Sequence, residues 1–243
     1  MEHLKNLSTG LKPGRSLKQA LTNSPTGILS EFKRKSPSKG YIHADAQVAS
    51  VVQAYQKAGC CGVSVLTDHA YFGGTIGDFK QARAVLDCPV LRKDFMIDPY
   101  QIYESKILGA DVILLIAAAL TMDEAYDFGE LAHELGMEVL LEVHSEEELE
   151  YVSRYTDMVG VNNRNLKTFK TDVQTSFDLA AKIPSGMVRI SESGLSDPST
   201  VNALRKAGYQ GFLMGEAFMK NEQPGDALAF FIGEMLKTSV YDK

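Results

Sequence analysis

Side chains suited to proton transfer fall in short clusters along this chain, each at the end of an apolar run. The first is Glu31-Phe-Lys33, which closes the run Gly27-Ile-Leu-Ser and leads into a polar turn, Ser36-Pro-Ser-Lys-Gly40. Residues i and i+2 of a strand share a face, so the Glu31 carboxylate and the Lys33 ammonium leave one strand end on the same side. The design recurs in Thr67-Asp-His-Ala-Tyr-Phe72-Gly73-Gly74, Leu91-Arg-Lys93-Asp-Phe95, Glu142-Val-His144, Asn162-Asn-Arg164, Ser191-Glu192-Ser193-Gly194 and Met214-Gly215-Glu216. Among these, Lys33, Lys93, Glu31, Glu142, Glu192, Arg164 and Asn162 supply proton donors, acceptors and charge of both signs, as general acid–base and electrostatic catalysis require. Gly194 and Gly215 let backbone approach a ligand. Gly215-Glu216-Ala-Phe-Met is expected to open a short helix whose N-terminus cradles a phosphate, with Ser36 and Arg164 as candidate side-chain donors. His43, His69, His133 and His144 share no metal-ligand spacing, and His133 falls within an expected helix as a structural residue.

Such clusters need strands that end on one rim. Short Val/Ile/Leu-rich runs predict strands at 27–33, 62–67, 89–93, 111–116, 137–142, 157–162, 187–191 and 210–214. Runs that are continuous rather than alternating suit parallel strands covered outside by helices. Amphipathic segments predict helices at 43–58, 77–86, 99–108, 122–135, 145–153, 173–182, 197–207 and 224–237. Thr121-Met-Asp-Glu124 and Ser145-Glu-Glu-Glu148 read as capping boxes, and Gly59, Gly109, Gly136 and Gly208 as helix stops. Eight strict β–α alternations in this length predict an α/β fold, a single (β/α)8 TIM barrel over 26–243. No Gly-x-Gly-x-x-Gly follows the first strand to favour a dinucleotide fold. Residues 1–25 form a short N-terminal extension, a polar arm with one helix near 15–22. In such a barrel, active sites form where strands end, which is where every cluster above falls.

Composition sets the outer bounds. The 243 residues are 44% hydrophobic and 23% charged, as in ordinary globular proteins, and the net charge of −6 with scattered Lys and Arg argues against nucleic-acid binding. The longest apolar run, Val112 to Leu120, is too short to span a membrane, and no hydrophobic signal region opens the chain, so a cytoplasmic protein is expected. Cys60, Cys61 and Cys88 fit neither a disulfide framework nor a zinc site and are expected to be buried, reduced thiols.

Taken in order, these motifs resemble those of indole-3-glycerol phosphate synthase: Ser30-Glu31-Phe-Lys33-Arg-Lys-Ser36-Pro-Ser-Lys-Gly40, Ser64-Val-Leu-Thr67 with Phe72-Gly73-Gly74, Pro89-Val-Leu-Arg-Lys93-Asp-Phe95, Leu140-Leu-Glu142-Val-His144, Gly160-Val-Asn162-Asn-Arg164-Asn-Leu166, Ser191-Glu192-Ser193-Gly194 and Gly211-Phe-Leu-Met-Gly215-Glu216. The resemblance implies decarboxylating, dehydrating ring closure of 1-(o-carboxyphenylamino)-1-deoxyribulose 5-phosphate, in tryptophan biosynthesis, with no metal or organic cofactor. It implies Lys93 as the first general acid, Lys33 as carboxylate contact and later acid, and Glu142 as base. Glu31, Asn162, Glu192 and Ser193 would orient these groups. Ser36, Gly194, Gly215 and the backbone of Glu216 would hold the phosphate, and Arg164 would support the charged groups. Phe95, Leu114 and Leu213 would sandwich the aromatic ring. The resemblance further implies a monomer whose partner is a small phosphorylated substrate, with at most weak association with other tryptophan-pathway enzymes. The 30 residues before Glu31 are fewer than the family's N-terminal extension, so closure of this arm over substrate is the open part of the carry-over.

Three rivals remain. A phosphoribosylanthranilate isomerase would carry Cys on strand one and Asp on strand six, where this chain has Glu31–Lys33 and Asn162–Arg164. A Schiff-base aldolase would use Lys93 or Lys33 as nucleophile. A non-catalytic barrel would bind a phosphorylated metabolite without turnover.

Overall fold

The computed structural model describes residues 2–166 and 168–241, with the side chains of 238–241 left aside; Met1, Lys167 and residues 242–243, which fall within the expected arm and barrel ranges, lie outside the described residues. Eight parallel strands close into a barrel in sequence order. They are β1 (Ile28–Phe32), β2 (Gly62–Leu66), β3 (Val90–Lys93), β4 (Val112–Ile116), β5 (Glu138–Val143), β6 (Met158–Asn162), β7 (Val188–Glu192) and β8 (Gly211–Met214). The ring closes where β1 pairs β8, with Leu29 opposite Leu213, and β2, with Leu29 opposite Gly62. Each strand lies within about a residue of its predicted range, because buried β-branched and Leu runs have no competing solution here.

Alternation sorts the strand residues into two cores. Ile28, Val63, Val65, Ile113, Leu115, Val139, Leu141, Val159, Val161 and Phe212 face the surrounding helices. Leu29, Leu91, Val112, Leu114, Leu140, Met158, Val188, Ile190 and Leu213 fill the barrel interior. The next inward position towards the C-terminal rim is then Glu31, Lys93, Ile116, Glu142, Gly160, Glu192 or Gly215. An apolar plug thus forms the floor on which the charged layer stands.

The arm differs from expectation. Besides α2 (Leu17–Thr22), the helix predicted near 15–22, it holds α1 (Glu2–Ser8). Helix α1 packs on the outer helix α5 (Pro99–Leu108), with Lys5 Nζ 5.8 Å from the Tyr103 ring centre. Helix α2 inserts Leu17 and Leu21 into the interior core from the end opposite the strand C-termini. Glu138, the first residue of β5, fixes it there: Oε1 accepts from Ser16 Oγ at 2.5 Å, and Oε2 accepts the Leu17 and Lys18 amides at 2.8 and 3.0 Å. Residues 16–22 therefore close the floor of the barrel, not its mouth.

The outer ring follows the predicted segments as α3 (Val48–Ala58), α4 (Ile76–Val85), α5, α6 (Met122–Glu134), α7 (Gln174–Ala180), α8 (Pro198–Lys206) and, after the four-residue α9 (Glu216–Met219), α10 (Pro224–Tyr241). Gly59 and Gly109 cap α3 and α5 in the left-handed conformation. The Thr121–Glu124 capping box forms on α6. The box expected at Ser145–Glu148 does not, and residues 145–153 form only a 3-10 turn, Glu147–Tyr151. Four carboxylates in five positions repel one another there, and Glu148 is drawn back to the His144 amide instead, 2.7 Å away. The three cysteines are free thiols, half-buried rather than fully buried as expected.

Candidate active site

The strand ends enclose a cavity of about 510 Å³ open at the C-terminal rim. Its floor is charged. Lys93, last residue of β3, places Nζ 2.6 Å from Glu192 Oε2 on the opposite wall, 3.7 Å from Glu31 Oε2 and 3.7 Å from Glu142 Oε2. Lys33, two residues past Glu31, returns to it at 2.5 Å. The shared face predicted for these two is the one observed. Asn162 donates from Nδ2 to Glu142 Oε1 at 3.0 Å.

Burial and charge divide the carboxylates. Burial raises the proton affinity of each, and the neighbours decide the outcome. For Glu31, the Lys33 and Lys93 ammoniums prevail and hold it below the usual carboxylate range. For Glu142, contact with His144, the charge of Lys93 and the Asn162 hydrogen bond bring it down to about 2 against burial. For Glu192, burial prevails over Lys93, and repulsion from Glu142 and Glu31 adds to it, so it is pushed up to about 7. Burial pushes Lys93 towards the free amine, but the three carboxylates outweigh it and hold the ammonium well above its ordinary range.

Above this floor the walls separate by chemistry. Phe95, Leu114, Ile116 and Leu66 form an apolar side, Leu213 faces Leu114 from across the barrel, and Phe72, Leu166 and Phe169 line the rim. On the other side, Ser193, Gly194, Gly215, Glu216 and Arg164 converge. Ser193 and Gly194 both take left-handed backbone, φ 68° and 75°. Asn163 holds that turn by donating to the Ser193 carbonyl at 3.0 Å and the Ser191 hydroxyl at 3.1 Å. Gly215 caps α9, the short helix expected there, so the first α9 amides point towards the mouth without helical partners. Lys39, on the turn after β1, meets Glu216 Oε1 at 2.5 Å.

Thirteen of the residues singled out in the sequence line this cavity: Lys93, Glu142, Lys33, Glu31, Asn162, Ser193, Phe95, Leu114, Arg164, Leu213, Gly194, Gly215 and Glu216. Two stand behind it. Glu192 is fully buried and reaches the cavity through Lys93; Ser36 is buried, with its hydroxyl unpartnered, while its neighbours Pro37, Ser38 and Lys39 form the wall. His133 pairs with Asp157 at 2.8 Å, a structural role as expected. His144, which has no metal-ligand spacing and no assigned role in the sequence reading, lies against Glu142, two residues before it as Glu31 is before Lys33. Among the described residues no group of three His, Cys, Asp or Glu is arranged to hold a metal ion.

A closed parallel barrel whose C-terminal rim gathers paired lysines and glutamates above an apolar core defines a (β/α)8-barrel enzyme of the acid–base kind. The family model for indole-3-glycerol phosphate synthase matches residues 1–230. Curated relatives of that name include one from Bacteroides thetaiotaomicron, 51% identical over 96% of this chain and 89% of its own, and one from Delftia acidovorans, 45% identical over 88% and 82%. The chain belongs to the indole-3-glycerol phosphate synthase family, the decarboxylating lyases of tryptophan biosynthesis. Solved structures share the fold at low identity: a mutant tryptophan synthase alpha-subunit from Pyrococcus furiosus (TM-score 0.65, 16% identity, 87% of this chain and 98% of that one) and a thiamine phosphate pyrophosphorylase from the same organism (TM-score 0.65, 14%, 91% and 100%).

Proposed function

We propose that this site closes the indole ring of 1-(o-carboxyphenylamino)-1-deoxyribulose 5-phosphate, with Lys93 as the acid of the first step. The supporting observation is the Lys93 ammonium, half-buried among Glu31, Glu142 and Glu192 in a cavity also lined by Phe95, Leu114 and Leu213. Those three apolar side chains sandwich the aromatic ring. The polar side takes the phosphate through Gly194, Gly215, the Glu216 backbone and Arg164, with Ser36 contributing from behind its turn. Lys93 gives a proton to the ketone oxygen as the carboxylate-bearing ring carbon attacks. The bond that forms leaves positive charge on the ring nitrogen, which Glu142 and Glu31 stabilise. Carbon dioxide departs, and its bonding electrons neutralise that charge. Lys33 then protonates the new hydroxyl, which leaves as water, and Glu142 takes the ring proton whose loss restores aromaticity. Asn162, Glu192 and Ser193 position these groups. A Schiff-base route needs the free amine, which three carboxylates around Lys93 disfavour.

In this reading residues 26–243 are the catalytic barrel and 1–25 its N-terminal extension. By the family resemblance we also read the protein as a cytoplasmic monomer in weak association, at most, with other tryptophan-pathway enzymes. No described helix is long and apolar enough to cross a membrane.

Indole fluorescence over time, with this substrate, tests the assignment. The parent protein is expected to turn over and Lys93→Ala to lose ~10²–10⁴-fold. Equal turnover in both would move the acid role, first to Lys33. Borohydride trapping of a substrate adduct would favour the Schiff base.

A further inference from the structure

His144 lies two residues beyond Glu142, so it continues the inward face of β5 past the end of the strand. Its ring stands between two carboxylates. Nδ1 is 3.2 Å from Glu148 Oε2, the same oxygen that accepts the His144 amide at 2.7 Å. Nε2 is shut off from water, makes no aligned hydrogen bond, and is 3.4 Å from Glu142 Oε1. A neutral imidazole has one donor and one acceptor nitrogen, so between two carboxylates one of its nitrogens would oppose lone pair to lone pair. With protons on both nitrogens that clash is gone, and the positive ring faces a carboxylate on each side.

The other neighbours of Glu142 make that charge useful. Lys93 faces it at 3.7 Å but is tied more closely to Glu192 and equally to Glu31. Asn162 supplies a neutral hydrogen bond. Glu31 and Glu192, from β1 and β7, add repulsion. Once Lys93 has passed its proton to the ketone oxygen it is a neutral amine. A buried carboxylate left beside it would take up a proton and cease to be a base. We propose that His144 is a positioning residue that, locked as an imidazolium by Glu148, keeps Glu142 ionised through the step in which Lys93 has lost its charge. The ring's own balance is consistent: burial lowers its proton affinity, and the two carboxylates raise it to about 9. Glu148 thereby gains a role at the site through an element, the 3-10 turn, that touches none of the substrate walls.

The proposal rests on Glu142 being the base, and two measurements separate the questions. The first uses no substrate: NMR of the intact protein labelled in its histidine rings. The His144 ring is expected to remain doubly protonated at pH 8, with its midpoint lowered by at least one pH unit in Glu142→Gln and in Glu148→Gln. A ring that titrates near 6.5 in the parent overturns the proposal whatever the activity data show. The second is the pH profile of kcat. His144→Gln is expected to fold, to leave KM within about twofold, to lower kcat at pH 7 at least tenfold, and to move the acid limb up by a unit or more. Glu148→Gln shifts that limb in the same direction by less. A uniform loss of kcat with an unmoved limb overturns the proposal. If Glu142→Gln keeps full turnover, the base assignment itself fails, while the ring titration still reports whether the pair exists.

Discussion

Lys93 Nζ and Glu192 Oε2 meet at 2.6 Å from strands on opposite walls of the barrel, and this pair spans the floor of the active site. Glu192 is fully buried and its other oxygen has no partner. A Cβ on Gly160 would collide with that oxygen, so the glycine on β6 is what makes room for it.

The unequal sharing of one ammonium among three carboxylates sets a pH dependence of stability. Glu192 is raised from 4.5 to about 7, by burial first and by its two anionic neighbours next. Between these values the folded protein binds the extra proton, so Glu192's contribution is fully present below pH 4.5 and is lost as pH rises through 7. At ~1.4 kcal/mol per pH unit the loss is at most a few kcal/mol. Glu192→Gln removes the charge while keeping the shape. It is expected to be more stable than the parent at pH 8 by about 1–3 kcal/mol, equal to it near pH 4, and poorly active. Urea denaturation at the two pH values checks this, and equal stability at both would refute it.

Gly215 is required by its neighbour rather than by its backbone. A Cβ there would sit 2.7 Å from Glu31 Oε1 and 2.8 Å from Glu31 Cβ. Gly215→Ala must push Glu31 away from Lys33 and Lys93. The expected cost is ~1–3 kcal/mol of stability and about 10²-fold in turnover. Steady-state kinetics beside a melting curve would show whether activity falls far more than folding does.

No described residue of the arm lines the cavity, and its second helix packs into the interior core from the other end. Leu17 is wholly buried in the interior core. Leu17→Ala is expected to cost ~2–5 kcal/mol with kcat nearly unchanged at a temperature where the variant is folded. Hydrogen exchange should find residues 17–22 protected before substrate is added. Protection that appears only on binding would restore a lid role to this segment.

The exposed Lys39 pairs with the half-buried Glu216 at the polar side of the mouth. Such pairs contribute about 0–1 kcal/mol to folding, so Lys39→Ala should leave the melting temperature in place. If Lys39 leaves Glu216 for the incoming phosphate, KM should rise about tenfold, and the difference should shrink in high salt as screening grows. A salt-independent KM equal to the parent's would assign Lys39 to the surface alone.

The linear chain by itself determined the barrel and most of the charged rim. Continuous apolar runs call for strands covered on both faces, eight β–α repeats in this length favour the barrel over an open sheet, and the i, i+2 rule carries Glu31 and Lys33, or Asn162 and Arg164, to one side whatever their surroundings. Local rules failed where a partner outside their pattern outcompeted them. Glu148 belonged to a capping box by spacing, but the His144 amide and ring claim it in the folded protein. His144 carried no metal-ligand pattern, and only its placement between Glu142 and Glu148 gives it a charge. The arm reads as a polar extension with one helix whose closure over substrate is open, yet Glu138, more than a hundred residues away, anchors that helix as the floor. Which of three identical glutamates keeps a proton is likewise decided by tertiary structure, because it depends on the distances to Lys93 and on burial, and both exist only once the eight strands close.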